Sequence, residues 1–461
     1  MTSATREVGL GAVLLALAAL GCRGGDSPLT VVVRTDQRFQ TIDAWEATAG
    51  SPWESREFDR YVPDLIRKGI ALGVNRLRLE VRAGVENKVD NFARMRSGAL
   101  PFRDYRKVWY ANTNDDEDPH HINWKGFHFT ELDLTVKHMV LPFQAAMAEA
   151  GRKLAINVCY VAFTKQSGAG TRYIHDDPEE YAEFMLATLL HLKKTFGLVP
   201  ETWEILLEPD NVPQWSGELM GRAMVAARKR LDEAGFSTRF IAPSCENLRA
   251  SLSYADAMAR VPGALDSLEE LSYHRYRGVG PASLQGLANR ARRWKTKAAQ
   301  LERIGADHRM LREDLVVAQT SSWSRYVLGD PQSRRGGGYF WVDLDAPDGP
   351  IVREADGTRF LRRYMSRVPR GSVRIAATSS RPRSTLPTAF LVPDGGCVLV
   401  LDVRVPARIR LEGLPQGLYG VEGASVRRSV FKLPDLEVGE AGSAELDVAS
   451  PAVLTIASRR P

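Results

Sequence analysis

Apolar positions along this chain alternate between two periods. Residues 29–33 are β-branched and read as a strand, and residues 40–47 as a second extended piece. Phe58, Tyr61, Val62, Leu65, Ile66 and Ile70 then recur at helical spacing up to Gly73. Residues 74–81 return to the strand period, with Arg76, Arg78 and Glu80 on one face and Leu77 and Leu79 on the other. After a long polar excursion over 82–130, helix 131–150 leads into strand 154–161. Asp177-Pro178-Glu179-Glu180 is a helix start, with a cap, a proline in the first turn and acids at the positive end of the dipole. Strands at 203–207, 240–243, 268–276, 298–302 and 321–327 follow, with helices between them and a last helix over 358–367. About eight such alternations predict a (β/α)8 barrel.

From about Ser372 the texture changes to short β-rich runs separated by turns such as Pro393-Asp394-Gly395-Gly396. This predicts a small antiparallel sandwich, which the 29–34 strand is free to join. No G-x-G-x-x-G opens the chain as a doubly wound dinucleotide fold would require, and Gly336-Gly337-Gly338 reads as a flexible loop. No cofactor is implied.

The run over 203–207 stops at Glu208-Pro209-Asp210-Asn211, because Pro209 has no N–H for a ladder. A carboxylate is thereby presented at the C-terminal lip of a barrel strand, where catalytic groups of such barrels sit. The plain alternative is a surface Glu opening a turn.

Composition narrows the partners. The 461 residues are 26% charged and 44% hydrophobic, ordinary for a globular protein. The net charge of +6 is spread among interleaved acids, and no nucleic-acid-binding signature is present. Arg6 precedes a short apolar run over 8–20 that ends in Ala18-Ala19-Leu20-Gly21-Cys22. That is a secretory leader, and small residues before a Cys resemble the lipobox of bacterial lipoproteins, in which Cys22 would be lipidated. The expected location is the bacterial cell envelope or the medium, with membrane contact only through that anchor. Cys159, Cys245 and Cys397 remain, an odd count with no metal-binding spacing. The acids and histidines over 114–121 match no familiar metal site, and no metal is predicted.

With these segments in order, the chain resembles the retaining glycoside hydrolases of clan A, most closely family 30, the glucosylceramidase and xylanase type. The resemblance rests on residues 40–42, Arg78 on the second barrel strand, Trp203 to Asn211 on the fourth, Ser272 to Tyr276 on the sixth, Gln300-Leu301-Glu302 on the seventh and Ser321-Ser322-Trp323 on the eighth. It implies a barrel with a side-packed β-domain built from both chain ends. The divisions would be a leader over 1–21, a linker and β-domain strand over 22–39, the barrel over 40–369 and the sandwich over 370–461. It also implies Glu208 as acid/base and Glu302 as nucleophile, acting on a β-linked oligo- or polysaccharide. Arg78 would hold Glu302 ionised, Tyr276 would donate to the same carboxylate, and His274 would bond the acid/base or a sugar hydroxyl. Trp323 and Trp45 would stack on sugar rings, although core packing explains both equally well. For Glu302 the alternative is a helix-start acid, and for His274 a structural histidine.

Two positions depart from the family. Leu207 stands where the clan has an Asn that bonds the sugar 2-hydroxyl, leaving Asn211 or Glu46 to replace it. Trp45-Glu46-Ala47 replaces a Gly-Phe-Gly stretch, and a carboxylate there would suit hydroxyl-rich or cationic sugars and repel uronic acids. The rivals to a hydrolase are a weakly active or inactive glycan-binding lipoprotein and a transglycosylase on the same barrel.

Overall fold

The computed structural model describes residues 28–50, 57–166, 172–332 and 336–459. The leader and Cys22 lie outside them. Strand β1 (Leu29–Thr41) precedes the barrel. The barrel strands are β2 (Ala44–Thr48), β3 (Arg76–Arg82), β4 (Ala155–Val161), β5 (Thr202–Glu204), β6 (Arg239–Asn247), β7 (Leu268–Arg277), β8 (Lys297–Glu302) and β9 (Thr320–Asp330). They pair in parallel in that order, and β9 closes the ring by pairing with both β8 and β2. The (β/α)8 barrel is therefore present.

Local sequence explains the helices between the strands. Asp177 caps the helix Pro178–Phe196 by accepting from Glu179 N at 2.8 Å, and Gly197 ends it in the left-handed region at φ 66°. Ser216 caps Gly217–Glu233 in the same way. Gly73 ends the helix Phe58–Leu72 at φ 108°, and a Cβ there would lie 2.2 Å from Met365 O. Only glycine allows the chain to turn back at that point.

Two elements differ from expectation. Strand β5 is three residues long, not five, because the chain after Glu204 leaves the regular ladder. Ile205 N still bonds Ile241 O at 3.0 Å and Leu207 N bonds Tyr160 O at 2.9 Å, so the segment stays wedged between its neighbours. Gly338 opens β10 (Gly338–Asp343), which pairs in parallel with β9 and in a hairpin with β11 (Ile351–Glu354). The glycine run is thus tied into the sheet, with Gly336 O accepting from Gly305 N at 2.8 Å.

The second sheet contains β1 with β12 (Val373–Ser379), β13 (Thr385–Leu391), β14 (Cys397–Val403), β15 (Ala407–Glu412), β16 (Gly417–Ala424), β17 (Phe431–Val438), β18 (Ser443–Val448) and β19 (Ala452–Ser458). Strand β1 lies between β12, antiparallel, and β15, parallel, so both ends of the chain build it. In β14, Cys397, Leu399 and Leu401 face the sheet's own core, while Val398 and Val400 join the core cluster of the barrel. One strand thus serves two cores, which explains why all seven of its residues are buried.

The 82–130 excursion is ordered. It carries the helices Asn91–Arg96 and Phe102–Val108, and two of the acids in its 114–121 stretch have local partners. Asp116 Oδ2 pairs with His121 Nδ1 at 2.7 Å, and Asp115 accepts from Asn123 N at 2.6 Å.

Candidate active site

The barrel interior is filled with charge where branched apolar layers are usual. The lower layer joins Arg76 to Glu46 at 2.6 Å and to both oxygens of Glu270 at 2.9 and 3.0 Å. Above it lie Arg78, Glu204 and His274, all fully buried. Such groups need mutual pairing, since an isolated buried charge costs several kcal/mol.

Glu208 sits at the end of the wedged segment in the left-handed region, φ 49° and ψ 61°. A non-glycine residue held there carries backbone strain, roughly 1–3 kcal/mol. The following turn is tied down by Asp210, which accepts from Glu246 N at 2.8 Å and Asn247 N at 3.1 Å. Glu208 Oε1 meets His274 Nδ1 at 3.0 Å, and Oε2 accepts from Asn211 Nδ2 at 3.0 Å. Glu302, at the end of β8, accepts from Arg78 on Oε2 and from Tyr276 OH at 3.0 Å on Oε1. One oxygen of Glu208, one ring nitrogen of His274 and one oxygen of Glu302 all lie within 4.8 Å of one another.

Electrostatics organise the cluster around His274. Its Nε2 stands 3.7 Å from Glu204 Oε1, an ion pair rather than a hydrogen bond. Burial opposes its charged form, but the negative charge of Glu302 and the interactions with Glu204 and Glu208 raise its pKa to about 10. Burial pushes Glu204 up, and His274 and Arg78 outweigh it, lowering that carboxyl to about 2. Glu208 behaves alike: burial raises it, while His274, Asn211 and Arg78 bring it below the ordinary carboxylate value. The three clustered residues are also close enough to hold a metal ion.

No protein-family model matches this sequence, and no curated protein matches it. Solved structures do. The catalytic domain of the family 30 xylanase C from Talaromyces cellulolyticus is similar at TM-score 0.64 and 13% identity, over 94% of this chain and 100% of that one. A conserved exported protein from Bacteroides fragilis is similar at 0.66 and 14%, over 93% and 100%. An endo-β-1,6-glucanase is similar at 0.63 and 14%, over 94% of each chain. The fold is that of the family 30 glycoside hydrolases.

On this family 30 fold, Glu208, Glu302, Arg78, His274, Tyr276 and Asn211 come together at the C-terminal mouth of the barrel. Three other expected residues do not reach it. Trp45 is fully buried and donates from Nε1 to Val368 O at 2.6 Å. Trp323 is equally buried and donates to Asp314 Oδ2 at 3.0 Å. Neither ring has a free face for a sugar. Glu46 lies in the lower layer, held by Arg76 and by Asn157 Nδ2 at 3.2 Å, so it neither replaces the missing amide nor meets a substrate. Asn211 is occupied by Glu208 and, at 3.3 Å, by Glu246. It orients the acid/base candidate. Leu207 packs with Tyr110, Cys159 and Val161.

Sequence reasoning passed over Glu204 and Glu80. The signal for Glu204 was a single acid inside an apolar run, four residues before Glu208; for Glu80 it was the face shared with Arg78. A cleft of about 220 Å³ opens beside Arg78, with Glu80 and Tyr326 in its lining.

Proposed function

We propose that this chain is a retaining glycoside hydrolase, a distant relative of family 30, acting on a β-linked glycan or glycoconjugate. The observation that carries the reading is the approach of Glu208 and Glu302 oxygens to within 4.8 Å. Retaining enzymes hold their carboxyl groups about 5–5.5 Å apart, whereas inverting ones leave about 6.5–9.5 Å for a water. Glu302, paired with Arg78 and Tyr276, is the nucleophile. Its carboxylate forms an ester bond to the anomeric carbon as the glycosidic C–O bond breaks. The departing oxygen takes a proton from the Glu208 side. A water then attacks the anomeric carbon, breaking its bond to the Glu302 oxygen and giving a proton back to that side, so Glu302 is freed and the sugar leaves with its anomeric configuration retained.

The lowered pKa of Glu208 is unusual for a general acid, which works best near the operating pH. His274 answers this. Its Nδ1, 3.0 Å from Glu208 Oε1, holds the proton that the pair passes to the leaving oxygen. Forming the ester removes the negative charge of Glu302, the largest support for the imidazolium, so the pair gives up its proton as the nucleophile reacts.

The similar xylanase and endo-β-1,6-glucanase support a polysaccharide substrate, and the similar exported protein supports a protein working outside the cytoplasm. The leader, with Cys22 lipidated, would tether it to the envelope. Among the described residues no helix is long and apolar enough to cross a membrane.

The test is incubation with a panel of plant and microbial polysaccharides, with the first-formed anomer read by NMR. Release of a β-anomer from a β-linked glycan is expected. Initial release of the α-anomer, or no release from any glycan, would overturn the reading. One observation favours a second: Leu207, standing where the clan has an Asn, is packed on Tyr110, Cys159 and Val161 and has no group that could bond a sugar 2-hydroxyl. A glycan-binding protein with little turnover needs no such amide, and it would bind oligosaccharides without cleaving them.

A further inference from the structure

Strand register gathers four turns at one end of the β-domain. Thr385 pairs with Val403, Val403 with Ala452, Ala407 with Val448 and Ala424 with Val453. The turns 380–384, 404–406, 425–430 and 449–451 therefore emerge at the same end, and Arg404 N donates to Ser384 O at 2.8 Å, joining two of them. Strand β1 starts there as well, with Leu29 opposite Ile409. Thr30 N donates to Ser380 Oγ at 3.0 Å, and Thr30 O accepts from Ser380 N at 2.9 Å.

Over the whole chain acids and bases are interleaved, but not in these turns. They hold Arg381, Arg383, Arg404, Arg427 and Arg428, all exposed, and no acid. The turns of the opposite end, 392–396, 413–416 and 439–442, hold Asp394 and Glu440 and no base. Two acids on the strands at the basic end face bases of their own. Asp447 stands 4.0 Å from Arg408, and the buried Asp402 stands 3.5 Å from Arg404 and 3.6 Å from Arg309. Among the arginines stand Val405, Val426 and Val430, exposed at 46%, 81% and 54%. Val426 is the most exposed large apolar side chain among the described residues.

Arginines alone are content in water, whereas valines raised on the same turns gain only where water is excluded. A bilayer boundary offers both: anionic headgroups attract the arginines, and the layer beneath takes the apolar tips. Connectivity favours the same partner. Leu29 follows Cys22 by seven residues, a reach of at most about 25 Å even when fully extended. A lipid on Cys22 would hold the end at which β1 starts close to the bilayer.

We propose that this end of the β-domain docks on an anionic phospholipid surface, through the five arginines and the tips Val405, Val426 and Val430. The tether would then not be the sole membrane contact, and the docked face would orient the barrel. The docking face takes from the envelope reading only the nearness of a bilayer and is independent of glycan turnover.

The experiment uses the chain from Cys22 onward, expressed without acylation, which keeps every described residue. Flotation with vesicles of phosphatidylcholine, with or without phosphatidylglycerol, reads binding. Wild type is expected to bind the vesicles that contain phosphatidylglycerol, more weakly as salt is added, and to bind phosphatidylcholine alone at least tenfold less. The double variant Arg427→Glu/Arg428→Glu and the variant Val426→Asp should each lose at least tenfold in affinity with an unchanged melting temperature. Glu440→Gln, at the opposite end, should bind as wild type does. No binding to the anionic vesicles, equal binding to both kinds, or wild-type affinity in either basic-end variant would overturn the proposal. The mass of the Cys22 peptide from envelope fractions separates docking from tethering. Unacylated Cys22 with vesicle binding intact removes the tether and keeps the docking face, whereas acylated Cys22 without vesicle binding keeps the tether and removes the docking face.

Discussion

In the proposed mechanism Glu208 must lose a proton quickly while surrounded by groups that already favour its ionised form. Its partner His274 resolves that conflict in a measurable way. With the histidine pKa raised to about 10, the alkaline limb of kcat/KM is expected near pH 10. In His274→Gln the imidazolium no longer holds Glu208 down, burial raises the carboxyl, and the limb should move to lower pH. A limb that stays in place would show that the histidine proton takes no part. Glu208→Gln and Glu302→Gln should each lower kcat by about a hundredfold to ten-thousandfold while leaving circular dichroism unchanged. Activity close to wild type in either variant would remove that residue from the reaction. At this scale the sequence was readable where chemistry and position coincide: Glu208 before Pro209, Glu302 ending a strand, and Arg78, His274 and Tyr276 on inward faces. It was not readable for Trp45, Trp323 and Glu46. Strand alternation says that a side chain points inward, but not at what depth in the barrel it stops.

The elements differ in how strictly they need their residues. Trp323 on β9 satisfies Asp314, which also accepts from Tyr273 and Arg275. Trp323→Phe leaves that buried acceptor short of one donor and should cost about 1–3 kcal/mol of stability. Its KM for any glycan should be unchanged. A raised KM with no loss of stability would return this ring to the sugar site. The short β5 and the β10–β11 hairpin escaped the sequence for different reasons. An apolar run such as 203–207 does not reveal where ladder bonds give way to single bonds from two neighbours. A glycine triplet reads as loop unless one knows that the Arg325 guanidinium lies where a Cβ of Gly336 would project, 2.4 Å away.

Across the whole molecule, the alternation of periods and the late change in texture were enough to anticipate the barrel and a β-domain made from both chain ends. They were not enough to anticipate that the barrel core is ionic, because one chain gives no partner for a buried charge until the strands close. That core makes stability depend on pH in a definite direction. His274 has a raised pKa, so its contribution is complete below the ordinary value of 6.5 and is lost as pH rises through about 10. Glu204 has a lowered pKa, so its contribution is complete above 4.5 and is lost as pH falls through about 2. The difference in melting temperature between wild type and His274→Gln should therefore be largest between pH 4.5 and 6.5 and shrink towards pH 10. A constant difference across that range would mean that the histidine is not charged in the folded protein.

The most direct measurement for the central claim, that two opposed carboxylates carry out double displacement, is mass spectrometry after reaction with a 2-deoxy-2-fluoro β-glycoside bearing a good leaving group. The expected result is a single covalent adduct whose peptide maps to Glu302, formed by wild type and absent from Glu302→Gln. Attachment at another residue, or an adduct that still forms in Glu302→Gln, would contradict it.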